Sequence, residues 1–249
     1  MLEHFTPTDN VHDDNDYHKQ VRAQAQQPAT TADDREFTIE ETRKAVDSTD
    51  NKKAPGENGI TGDIYKQTFE TFPKYIIAMY NGCLRQGVFP KRWKREKLIP
   101  IIKPGKENSD EALKYRPISL LNVVGKVLEI AMINRINHRV YTNGYTNNNQ
   151  YGFTPQVSTT DAAMAVKELV EEMFRAGEFT VIISLYIKGA FNSAWWPSIL
   201  KSLKECGCPQ NLYKLTKGYF SQRTATLLTN NIRLPTRLLL RPGPLEHAL

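Results

Sequence analysis

The stretch TVIISLYIKGAFNSAWWP, residues 180–197, decides how this chain is read. Thr180–Tyr186 is rich in β-branched and aromatic residues, which predicts a buried strand. A Gly189-Ala190-Phe191 turn follows it. Trp195-Trp196-Pro197 then predicts a helix start, with proline at an early position and a tryptophan in the core. The layout is that of a strand carrying an active-site residue out of a sheet. Yet no acid, base or nucleophile stands there: Tyr186 ends the run and Asn192 follows the turn.

Outward from this stretch, the periodicity predicts helices. PSILKSLKECG places Ile199, Leu200, Leu203 and Cys206 on one face. Upstream, Thr160 caps a helix with the stripe Ala163, Val166, Val170, Met173 and Phe174, closed by Gly177. YRPISLLNVV leads into a helix with Val124, Val127, Leu128 and Ala131 together. After Pro73, Ile76, Tyr80, Cys83 and Leu84 recur at helical spacing, and Gly87 suits the position just past the helix end. Thr38 and Glu41 fit a capping box, with Phe37 as a staple. KLIPIIKPGK reads as a short strand ending at a Pro-Gly turn. Residues 1–35 are polar and nearly free of aliphatics, which predicts a disordered lead-in.

Composition sets the outer limits. A chain of 249 residues with 40% apolar content can bury a real core. A net charge of +6 permits a nucleic-acid partner without requiring one. No apolar run approaches the roughly 20 residues of a membrane span, and the polar N-terminus is no signal peptide. An intracellular protein with reduced thiols at Cys83, Cys206 and Cys208 is expected. His4, His12 and His18 have no cysteine partners for a metal site.

Three motifs carry charge or aromaticity in places that suit a ligand. Lys103 and Arg116 flank a strand and a turn. They can clamp phosphates, or they are two solvated charges. Lys91, Arg92, Lys94 and Arg95 surround Trp93. They suit single-stranded nucleic acid, or they begin a solvated helix with Trp93 packed inward. Gly152-Phe153 follows an Asn/Gly-rich loop. It allows close backbone approach and base stacking, or it is an ordinary turn with a buried ring.

Taken together, NKKAPGENGI, LIPIIKPGK, YRPISLLNVVGKVLEIAMINRI, QYGFTPQVSTTDAA and SLYIKGAFNSAWWPSILKSL resemble the reverse transcriptase domain of LINE-type (non-LTR) retrotransposons, in order and approximate spacing. The resemblance covers about residues 37 to 228. It implies an α+β fold, the fingers and partial palm of a right-hand polymerase, with a helix-rich N-terminal half and an incomplete palm sheet. The implied division is a lead-in at 1–35, an N-terminal helical extension at 36–101, fingers at 102–180 and partial palm at 181–228. Lys103 and Arg116 match residues that contact the incoming nucleotide's phosphates. Phe191 matches the aromatic gate beneath the sugar. Gly152 and Phe153 match the template side, where Lys91, Arg92 and Trp93 are also assigned. RNA or another single-stranded nucleic acid is the implied partner; the sequence leaves the oligomeric state open.

Tyr186 falls where the family has its first catalytic aspartate, and Asn192 where the family often has an aspartate beside the gate. The family activity joins a primer hydroxyl to a nucleotide with Mg²⁺ held on carboxylates, and Mg²⁺ takes hard anionic oxygens. A phenol and a carboxamide replace two of them. The family's downstream carboxylates lie beyond the last residue. The expectation is therefore a truncated, degenerate copy that is inactive as a polymerase and holds no metal or cofactor. The alternatives are a retained nucleic-acid-binding module and a relic reading frame. Residues 229–249 do not resemble the family as protein, but they do as shifted codons. A family segment of the type GCPQGSCCGPGLWNML, read one frame over, can give Leu234, Pro235, Thr236 and Arg237, and its Trp-Asn step must give Glu246. The frameshift reading covers Arg233–Leu249. It requires that another frame of the gene encode a Pro-Gln-Gly motif, and sequencing that lacks one sinks it.

Overall fold

The computed structural model describes residues 9, 11–105, 111, 114–186, 194–229, 232–233 and 237–239. Its helical part follows from local chemistry. Thr38 accepts from the Glu41 amide at 3.2 Å while Glu41 accepts from the Thr38 amide at 2.8 Å. This reciprocal box starts α2, Ile39–Asp47, and Phe37 is buried beside it. Helix α3, Gly62–Thr71, is followed through Phe72 by α4, Pro73–Gln86. The α4 residues Ile76, Tyr80, Cys83 and Leu84 are all buried, as their spacing predicts. Gly87 ends α4 at φ +63°, and a Cβ there would lie 2.4 Å from Lys214 Cβ, so both conformation and space demand glycine.

Helix α5, Val123–Thr142, buries Val127, Leu128 and Ala131 in the main core. Arg135 near its middle ties it to the segment before α2. The guanidinium pairs with Glu41 at 2.8 Å and Asp34 at 3.3 Å, donates to the Arg35 and Glu36 carbonyls, and lies 4.3 Å over the Phe37 ring. Helices α7, Trp196–Glu205, and α8, Gln210–Phe220, complete this core through Trp196, Leu200, Leu203, Leu212 and Leu215. Trp196 stacks on Phe220 at 5.4 Å. Pro197 sits in the first turn of α7, as expected.

The sheet has the order β2-β1-β3-β4, with β5 also on β3. Strands β1, Arg95–Ile102, and β2, Tyr115–Leu120, are antiparallel. Strand β3, Arg223–Thr229, runs parallel to β1; β4, Ile232–Arg233, and β5, Arg237–Leu239, run antiparallel to β3. Pro100 faces Pro117 across the β1–β2 ladder. The Lys103 amide donates to the Lys114 carbonyl, which makes 103–114 a hydrogen-bonded pair. Three steps along the alternation, 100–117 is then a non-bonded pair, so neither missing N–H breaks a ladder bond.

One charged cluster lies under the sheet. Arg223 and Glu96 pair with both side chains buried. Ser119 donates to Glu96 at 2.9 Å, and the Tyr219 hydroxyl donates to Glu129 at 2.6 Å. The Arg223 guanidinium lies 4.2 Å over the Tyr219 ring, while its Nε and Nη1 find no acceptor among the described residues. Burial opposes the Arg223 charge, but Glu96, Tyr219 and Glu129 together hold its pKa up. Burial pushes Glu129 above the usual carboxylate range.

Three expectations are corrected. The lead-in contains a 3-10 turn, Val11–Asp13, and helix α1, Asp16–Gln26, with Val21 and Ala25 buried. Composition missed it because its partners lie almost 200 residues away: Tyr213 and Lys217 donate to the Ala25 carbonyl, and Thr31 donates to that of Cys208. Helix α6, Thr159–Arg175, is capped by Ser158, with Asp161 completing the box, and not by Thr160. None of its stripe is buried. Thr180–Tyr186 forms no strand; Val181, Ile182, Ile183 and Leu185 are exposed. A strand needs a ladder partner as well as β-rich composition, and none pairs with this segment among the described residues. The cysteines are free thiols, and burial pushes Cys83 to about 11 and Cys208 to about 12.

Candidate nucleic-acid interface

Strand parity organises the charged residues. Along β1, Glu96 and Leu98 are buried, so Arg95, Lys97, Ile99 and Ile101 take the opposite face. Ile101 pairs with Arg116, and the Lys103–Lys114 bond continues the register by two residues. Arg95, Lys97, Lys103, Lys114 and Arg116 therefore share the face away from the core. Lys103 and Arg116 are next-but-one neighbours across the hairpin end, which brings together the two cations that the sequence singled out. Lys114 is also paired with Glu111 at 3.3 Å.

The basic turn before β1 is a 3-10 segment, Lys91–Lys94. Lys91 and Arg92 are exposed. Trp93 packs inward, edge-to-face with Tyr80 at 6.0 Å and Phe89 at 6.1 Å, and it closes on Gly125, where a Cβ would meet Trp93 Cβ at 2.7 Å. The inward alternative for Trp93 is thus the one found, and its ring serves the core. Lys94 is buried and donates to the Gly218 and Ser221 carbonyls at 2.6 and 2.7 Å. Burial, then the Arg223 and Lys91 charges, bring its pKa down to about 8.

Asn122 was not singled out, yet it joins three pieces. Its Nδ2 donates to the Arg92 carbonyl at 2.8 Å and its Oδ1 accepts from the Asn58 amide at 3.1 Å. The Pro-Gly loop lies directly on it: a Cβ on Gly56 would sit 2.5 Å from the Asn122 nitrogen. A cavity of about 550 Å³ opens here, lined by Lys53, Pro55, Thr61, Ile118, Leu120 and Lys126.

Gly152 and Phe153 border a larger groove of about 1010 Å³. One α5 stripe, Ile133, Asn134, Asn137, His138 and Tyr141, lines it, together with Ser48, Thr49, Asp50 and Lys53 after α2 and with Tyr151, Thr154, Pro155 and Val157. Phe153 is 52% exposed, so it is not a buried ring. Its φ of +60° and the +66° of Gln156 are left-handed values that cost a non-glycine residue about 1–3 kcal/mol each.

Tyr186 is 88% exposed, and Phe191 and Asn192 lie outside the described residues. Among the described residues no three His, Cys, Asp or Glu side chains gather as a cation site would need. A phenol at position 186 is a poor ligand for Mg²⁺, which prefers hard anionic oxygens. The resemblance puts a Mg²⁺-binding carboxylate at position 186, and the phenol there does not fit that ion. Among the described residues no helix is long and apolar enough to cross a membrane.

Comparison with known sequences agrees with this assembly of helices and small sheet. Residues 101–237, more than half the chain, match the family described as reverse transcriptase (RNA-dependent DNA polymerase). The chain is similar to a retrovirus-related Pol polyprotein from the type-1 retrotransposable element R1 of Bradysia coprophila, at 33% identity over 69% of this chain and 17% of that protein. It is similar to the RNA-directed DNA polymerases from mobile element jockey of Drosophila funebris, at 30% over 81% of this chain and 22% of that protein, and of Drosophila melanogaster, at 31% over 75% and 20%. The chain thus spans about a fifth of the length of these relatives. The motif order, the mixed fold and the match over 101–237 make it a member of the reverse transcriptase family, of the kind found in LINE-type non-LTR elements.

Proposed function

We propose that residues 36–228 are the N-terminal helical extension (36–101), fingers (102–180) and partial palm (181–228) of a right-hand polymerase that has kept a single-strand-binding face and lost the chemistry. The observation that carries the reading is the strand parity that gathers Arg95, Lys97, Lys103, Lys114 and Arg116 on one face of the β1–β2 hairpin. Fixed cations in a row suit a phosphate backbone, which they bind by releasing its counterions. In this reading Lys103 and Arg116 meet nucleotide phosphates, Lys91 and Arg92 extend the basic track, and Gly152 and Phe153 face the template. Phe191 is the gate beneath the sugar. Tyr186 supports the loss of catalysis, since it puts a phenol where the family holds a metal-binding aspartate, and Asn192 repeats the pattern.

The test pairs two measurements on the same preparation. Primer extension on an RNA template with Mg²⁺ or Mn²⁺ is expected to give no incorporation above a heat-killed control. Affinity for labelled single-stranded RNA is expected to fall steeply with salt, with a slope of about −0.7 per phosphate contact. Incorporation would overturn the loss of catalysis, and undetectable or salt-independent binding would overturn the retained face. A second reading, a relic without a selected role, draws support from the exposed apolar residues Val181, Ile182, Ile183 and Leu185. A non-cooperative thermal melt would favour it over the first.

A further inference from the structure

Helix α6 has strong local signals for a helix, yet no described part of the chain covers it. Ser158 and Asp161 cap its start, and Gly177 follows its end at φ +73°. Between them Ala163, Val166, Val170 and Met173 recur at steps of three, four and three, the a and d positions of two heptads. Leu169 and Phe174 flank that seam. No residue of α6 is buried; Val166, Leu169 and Phe174 are 49%, 56% and 81% exposed. A helix in water draws most of its stability from packing an apolar face rather than from propensity. A narrow a/d seam is the face that packs against one other helix, where a broader stripe would face a globular core.

We infer that the α6 seam is an interface between two copies of this chain, packed antiparallel about a two-fold axis. The seam fits itself in that direction. Ala163 then faces Met173 of the partner subunit, and Val166 faces Val170 of the partner subunit, so small meets large in the end layers. Phe174 falls beside the small Ala162 of the partner subunit. In parallel register each of these residues would meet its own copy, which crowds the Met173 layer and leaves a void at Ala163. Charge gives the same answer. Glu171 and Glu172 lie in the C-terminal half of α6, while residues 159–165 carry one acid, Asp161, and no base. Antiparallel packing sets the two glutamates at the N-terminal half of the other helix; parallel packing lines up both acidic halves. Two heptads bury less than about 1,200 Å² in total, the range of transient contacts. The pair therefore forms as concentration rises and separates on dilution. It does not depend on the nucleic-acid reading above.

The experiment is sedimentation velocity of the full chain over a dilution series, comparing wild type, V170A, V170E and E168A. Wild type is expected to shift reversibly between monomer and dimer. V170A should weaken the dimer about 5- to 30-fold, since both copies lose a seam side chain. Alanine is the best helix former, so that loss cannot come from a melted α6. V170E, which buries a carboxylate in the seam, should weaken it more than about 100-fold. E168A changes the side opposite the seam and should stay within about 2-fold of wild type. Orientation is read by a short bismaleimide in a C206S background, which removes the half-exposed native thiol. A163C/M173C should crosslink into a dimer, and A163C alone should not. Crosslinking by A163C alone would overturn the antiparallel arrangement. A wild-type chain that is monomeric throughout would overturn the second copy as occupant and leave the seam to a different protein. Growth past the dimer without a plateau, or association unchanged by V170A and V170E, would overturn the seam as the interface.

Discussion

Arg223 concentrates the electrostatic risk of the molecule in one side chain. It is buried against Glu96, and two of its donor nitrogens have no acceptor among the described residues. A buried pair of this kind is worth little against a well-packed apolar pair, but removing one partner strands the other charge. Glu96→Gln is therefore expected to destabilise by about 3–5 kcal/mol. The double change Glu96→Met with Arg223→Met should recover most of that loss. Urea midpoints of the two single variants and the double variant test this, and additive losses would show that the charges do not depend on each other. None of this was legible in the sequence. Glu96 stands among Arg95 and Lys97 in what reads as a solvated basic run. Only the strand period separates it from its neighbours and turns it inward, where the parallel partner β3 supplies Arg223.

At the scale of elements, legibility follows the range of the interactions. Helix α4 could be read to its last residue, because its stripe and Gly87 are local signals. Strand β2 could not, because Pro117 argues against a strand unless it lies on a sheet edge, and that is where the topology puts it. Helix α1 was masked by its own polarity. Its stability comes from α7 and α8: Arg22 forks onto Asp9 at 2.8 Å through each of two nitrogens, pairs with Asp14, and lies 5.0 Å over the Trp195 ring. Trp195 in turn donates to Asp9 at 3.3 Å. One arginine thus fastens the N-terminal segment to the start of α7. Arg22→Ala should open this strap without unfolding the core, at a local cost of about 1–3 kcal/mol. Amide hydrogen exchange should then show faster exchange in residues 16–26 and unchanged exchange in α4 and α8. Equal loss of protection in all three helices would mean that the strap is part of the global unfolding unit.

The whole molecule divides into a core closed on itself and a segment that is not. Helix α1 packs on α7, α4 on α8, and β1 on β3, so elements from both ends of the chain share one interior. Between them, α6 buries nothing, Phe174 and Phe179 are exposed, and residues 181–186 join no ladder. An apolar run without backbone pairing is a preferred site of cleavage and of association with other chains. Limited proteolysis is expected to cut first within 176–186. The two products should remain together on gel filtration, because the α1–α7, α4–α8 and β1–β3 contacts cross the cut. They should also melt in one transition close to that of the intact chain. Ile182→Lys should reduce concentration-dependent light scattering and change stability by no more than about 0.5 kcal/mol, since Ile182 is exposed and lies outside the described core. Products that separate, or a first cut inside α4 or α8, would mean that the shared interior does not hold the two ends together, and would favour the relic reading over a retained binding domain.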